Sequence, residues 1–106
     1  MNDQLQLFEE IRTRLVNQED LVSEGKMMST QAIKYDGKVF VFIAKNGNMV
    51  FKFGKDFDPE AQDFEATTFN PFKNKRPLAG WFEVSYSQKE LWESLTIEAL
   101  SIIKQK

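Results

Sequence analysis

A chain of 106 residues, 42% hydrophobic and 28% charged, with five Gly and three Pro, has the size and composition of one folded domain around a single core. Zero Cys and zero His exclude a disulfide framework, thiolate metal sites, cysteine nucleophiles and imidazole bases, which closes most known catalytic constellations. The formal charge of −2 is unevenly spread, with sums of −4 over residues 1–25, +5 over residues 26–55 and −3 over residues 56–106. A basic middle between acidic ends marks either an anionic partner or lysines on the solvated side of a sheet, and the second is the commoner case.

No run of roughly eighteen apolar residues occurs, and Met1-Asn2-Asp3-Gln4 opens no export leader. The expectation is a soluble cytoplasmic protein with no membrane partner. Leu5, Phe8, Ile11 and Leu15, joined by Leu7 and Val16, recur at helical spacing and predict an amphipathic helix over residues 3–17, capped by Asn2 or Asp3. Asn17-Gln18-Glu19-Asp20 breaks it, and Leu21 and Val22 are expected to pack the chain back onto the core. From Met27 the period changes to two, giving a strand over residues 27–35 whose first half, Ser29-Thr30-Gln31, is weak. Asp36-Gly37 suits a two-residue type I′ turn, because both central residues need positive φ. Lys38 through Ala44, apolar on both faces after Lys38, reads as an interior strand. Asn46-Gly47-Asn48 then turns into Met49 through Phe53, completing a three-stranded antiparallel meander over residues 27–53.

Asp58-Pro59-Glu60 reads as the capped start of a short helix, and residues 66–79 as a loop. Gly80 opens a strand over residues 81–85 in which Trp81 should be buried. Ser87-Gln88-Lys89-Glu90 has the form of a capping box for a last helix over residues 87–103, with Leu91, Leu95, Ala99, Leu100 and Ile102 as its apolar stripe and Trp92 beside it. The order α-β-β-β-α-loop-β-α predicts one α+β domain over residues 1–106. Its two layers are an antiparallel sheet of four or more strands and, on one face, the N- and C-terminal helices.

Lys26-Met27, Tyr35 through Phe40, Asn48 through Lys52, Phe69-Asn70-Pro71, Arg76-Pro77-Leu78, Gly80 through Val84, Trp92, Leu95 and Glu98-Ala99 occur together in this order and spacing. In these the chain resembles the TfoX/Sxy N-terminal domain family over roughly residues 8–103. Where family members often follow the strand-opening Met with Phe-Gly-Gly or Phe-Gly-Ser, this chain has Met28-Ser29-Thr30. The resemblance implies a small bacterial-type α+β domain, here in stand-alone form without the helical C-terminal domain of the competence regulators. It implies no cofactor, no catalytic residue and no established ligand.

The residues themselves point away from catalysis. Asp56, Asp58, Glu60 and Asp63 are the one dense carboxylate cluster, but Ala61 and Thr67 stand where a calcium loop counted from Asp56 needs Gly and Glu, so capping is the expected role. No metal, no cofactor and no enzymatic activity are expected. Lys73-Asn74-Lys75-Arg76, beside Phe69, Phe72 and Trp81, has the basic and aromatic mixture that nucleic acid uses, against the plainer reading that the aromatics seal the core and the charges solvate a loop. Lys34 and Lys38 flank the hairpin turn and could extend that patch; Lys45 and Lys52 join only if they share its face. Met27 and Met28, beside a polar first strand, suit adaptable protein contacts, and an edge strand could pair with a partner or a second copy. The candidate partner-binding residues are Lys34, Lys38, Phe72, Lys73, Lys75 and Arg76. The expected function is a non-enzymatic regulatory or adaptor module, monomeric or weakly homodimeric, that binds another protein. Nucleic-acid binding through residues 73–76 and the hairpin lysines is the alternative.

Overall fold

The computed structural model describes residues 2–27, 29–70 and 79–105. Helix α1 (Asn2–Gln18) is followed by β1 (Val22–Met27), β2 (Thr30–Tyr35), β3 (Lys38–Ile43) and β4 (Met49–Lys52). Then come a 3₁₀ turn (Pro59–Ala61), β5 (Thr67–Thr68), β6 (Trp81–Val84), a second 3₁₀ turn (Tyr86–Gln88) and α2 (Lys89–Lys104). Among the described residues the strands form one six-stranded sheet in the order β1-β2-β3-β4-β6-β5, antiparallel at every pairing.

Both helices lie on one face of this sheet because each carries an apolar stripe that only the sheet can cover. Phe8, Ile11 and Leu15 of α1 and Trp92, Leu95, Ala99, Leu100 and Ile103 of α2 share one buried cluster with Ile33, Phe40, Val41, Phe51 and Val84 of the strands. Trp92 is wholly buried, and its indole N–H donates to the Ser85 carbonyl at 3.2 Å, so its one polar atom is satisfied inside the core. The opposite face carries a smaller buried cluster of Ala32, Phe42, Ala44, Val50, Phe69 and Trp81. Strand β3 therefore needs apolar residues on both sides, which accounts for the unbroken run after Lys38. A bulge lets β3 serve both: Ile33 opposes Val41 and Lys34 opposes Val39, leaving Phe40 as the extra residue, and Phe40 and Val41 both enter the helix-side core.

The turns follow local chemistry. Asp36 and Gly37 hold φ of 50° and 83°, the pair of positive values that the two-residue hairpin requires. Asp58 Oδ1 accepts from the Glu60 N–H at 3.0 Å and starts the first 3₁₀ turn with Pro59 behind it, but that turn ends at Ala61, so the short helix predicted there is a single turn.

Three expectations are corrected. Strand β1 fills the stretch between the polar break and the predicted 27–35 strand and takes Met27 from the latter: Val22–Met27 pairs with Thr30–Tyr35, making a four-stranded meander. Val22 is buried as expected, whereas Leu21 is 50% exposed. The capping box at Ser87 does not form. α2 starts at Lys89 after a 3₁₀ turn, Ser87 Oγ shares a hydrogen bond with Ser85 Oγ, and Gln88 holds the helix start to the preceding segment by accepting from the Glu65 N–H at 2.8 Å and donating to the Glu65 carbonyl at 2.7 Å.

Candidate interaction surface

Lys34 and Lys38, the two described residues of the candidate basic patch, do not share a face of the sheet. Across the β2–β3 hairpin Tyr35 opposes Lys38 and Lys34 opposes Val39, and directly opposed residues project to the same face. Tyr35 packs into the helix-side core, with Lys104 Nζ 5.9 Å from its ring centre, whereas Val39 packs against the second cluster. Lys38 thus lies on the helix side and Lys34 on the other, which corrects the expectation that both extend one patch. The Lys34 stem lies over Gly25 so closely that a Cβ there would come within 2.6 Å of Lys34 Cγ. Phe72, Lys73, Lys75 and Arg76 lie outside the described residues, as does Met28.

The neighbouring aromatics are engaged in packing. Phe69 meets Phe42 edge-on at 5.2 Å, Trp81 is tilted against Phe42 at 5.4 Å, and Lys52 Nζ stands 5.9 Å from the Trp81 ring centre. Phe69 and Trp81 are each 8% exposed, so neither presents a free ring face to a base. Lys52 shares this face with Lys34, and Glu83 accepts there from the Asn48 side chain at 2.9 Å.

On the helical layer the charges pair across elements. Arg14 forms a two-pronged bond to Glu93, Nε to Oε2 at 2.9 Å and Nη2 to Oε1 at 2.8 Å, joining α1 to α2. Lys104 Nζ donates to Glu19 Oε1 at 2.7 Å and ties the end of α2 to the segment after α1. The hydrogen bond to Glu93, helped by the charges of Glu93 and Glu10 and opposed by desolvation, raises the Arg14 guanidinium above its ordinary value. The Glu19 hydrogen bond, with the Glu19 charge and Tyr35 adding and desolvation opposing, does the same for Lys104. The surface depression around the second pair, bounded by Gln18, Glu19, Asp20, Leu21, Tyr35 and Lys104, is open. Among the described residues no three of the metal-ligating types converge, and no helix is long and apolar enough to cross a membrane.

The outer side of β1 is an unpaired sheet edge among the described residues, in a stretch where the sequence predicted no strand before Met27. In an antiparallel ladder alternate residues direct their N–H and C=O toward the neighbour, and the others direct them away. The Asp36 N–H donates to the Leu21 carbonyl at 2.9 Å, which sets the phase: Ser23, Gly25 and Met27 bond to β2, and Glu24 and Lys26 face outward. Among the described residues no strand pairs with that side, and Ser23, Glu24 and Lys26 are exposed. The Glu24 and Lys26 side chains lie on the helix side, where Arg12 Nη1 donates to Gln31 Oε1 at 2.6 Å and Arg12 Nη2 is 3.9 Å from Glu24 Oε1. Glu24 and Lys26 were not among the predicted site residues. The available signal was a polar segment beside a hairpin, which reads equally well as loop.

Comparison with models of protein families, with curated proteins and with solved structures gives no match for this chain.

Proposed function

We propose that this chain is a non-enzymatic regulatory or adaptor module that binds another protein by adding a strand at the outer edge of β1. The observation that carries the reading is the outward backbone of Glu24 and Lys26 on an exposed edge that no described strand covers. Peptide groups of that kind bind an extended segment through main-chain hydrogen bonds, and the flanking side chains choose among partners. The TfoX/Sxy-like residues and the two-layer α+β architecture agree with a regulatory role in a cytoplasmic, bacterial setting. The nucleic-acid reading is weaker, because Lys34 and Lys38 project to opposite faces and Trp81 and Phe69 are packed away.

The test is capture from lysate, with and without nuclease treatment, by wild type, Lys26→Pro and Lys26→Gln. Proline removes the outward N–H while leaving the inner ladder to β2 intact, and glutamine controls for the lost charge. A defined protein retained by wild type and Lys26→Gln but lost with Lys26→Pro supports the reading. Capture indifferent to proline, or abolished by nuclease, overturns it.

A further inference from the structure

We infer that the β1 edge takes a second copy of the same chain, antiparallel and centred on Gly25, so that two sheets join into one across a twofold axis. This rests on the strand-addition reading above and names its occupant. The argument is one of register. Within β1, Val22–Met27, only Glu24 and Lys26 offer both backbone groups outward, since the Val22 N–H is given to the Glu19 carbonyl at 3.2 Å. An antiparallel twofold centred on Glu24 would set two carboxylates against each other, and one centred on Lys26 would oppose two ammonium groups. Centring on Ser23 would pair Glu24 with the already occupied Val22.

Centring on Gly25 alone sets Glu24 of each copy opposite Lys26 of the other, in hydrogen-bonded pairs with both side chains on the helix side. The interface is isologous, as a closed dimer requires. Glu24 is 71% exposed and stands 3.9 Å from Arg12 Nη2 on its own chain, so its carboxylate is accessible to an incoming lysine. Gly25 meets Gly25 at the axis, where the absence of side chains admits the close Cα approach of a pair that is not hydrogen-bonded.

The experiment is sedimentation equilibrium of the full chain at roughly 0.1–1 mM, the range in which so small an interface associates. Wild type should approach twice its monomer mass. Glu24→Lys and Lys26→Glu should each weaken association roughly ten-fold or more, since each sets like charges opposite one another twice. An equimolar mixture of the two should recover it, because every pair is then complementary, and so should the double exchange in one chain. That recovery also excludes misfolding of the single variants. As a register probe, Ser23→Cys with Met27→Cys in this cysteine-free chain should oxidise to a covalent dimer, since those positions oppose each other across the axis but lie four residues apart along one strand. A wild type that stays monomeric throughout, or charge variants that associate as well as wild type, overturns the inference. If the monomeric chain still captures a different protein in a Lys26→Pro-sensitive manner, the edge reading stands and only the second copy is wrong. If it captures none, both fall.

Discussion

Gly37 and Gly80 hold nearly the same φ, 83° and 85°, in different surroundings. A Cβ on Gly37 would meet nothing within 4 Å, whereas one on Gly80 would stand 3.3 Å from the Gly54 carbonyl carbon, which is backbone and yields little. Gly37→Ala should therefore cost only the left-handed penalty of an L-residue, about 1 kcal/mol, and Gly80→Ala should cost more, about 2 kcal/mol. Urea denaturation of the two variants checks the order, and equal losses would remove the close-approach argument at Gly80. The same scale shows what was legible around the hairpin. Asp36-Gly37 announces a two-residue turn, and that turn dictates that 35 faces 38 and 34 faces 39, so the separation of Lys34 from Lys38 was already implied by the sequence. The packing of Trp81 against the face away from the helices was not implied, because an alternating strand does not say which layer covers which side.

The elements are tied by pairs whose effect depends on pH. Lys104 holds its proton more tightly folded than unfolded, because the Glu19 carboxylate accepts its hydrogen bond. Its contribution is then fully present below the unfolded lysine value and is lost as pH rises through the higher folded value. Stability measured by urea midpoint should fall on the alkaline side of the ordinary lysine range, and Lys104→Met should lower the neutral plateau slightly and flatten that limb, so that the two profiles converge at high pH. An identical alkaline limb in the variant would remove the assignment. The strong periodic elements, α1, β3 and α2, were legible because burial imposes their patterns. β1 was not, since Val22-Ser23-Glu24-Gly25-Lys26-Met27 has a polar centre with Gly and two charges, weak in strand propensity, and is held as a strand by its register with β2. Ser87 and Glu90 carry the capping-box spacing, but the intervening 3₁₀ turn moves the helix start past Ser87 and leaves its hydroxyl to Ser85.

Over the whole molecule the sheet ends differently at its two sides. β5 is a two-residue strand, too short to template a partner, whereas β1 runs for six residues and is blunted only by Glu24 and Lys26. The charges that guard this edge against indiscriminate pairing are the ones that make one antiparallel register self-complementary, so exclusion of wrong partners and selection of the right one lie in the same two residues. The direct measurement is residue-resolved amide hydrogen exchange of the dilute chain, repeated at high concentration. Glu24 and Lys26 should exchange roughly 100-fold faster than Ser23, Gly25 and Met27 in dilute solution, and should gain protection as concentration rises. Uniformly slow exchange along β1 in the dilute chain would mean that its outer edge is already covered, and would contradict the open edge on which the proposed function rests.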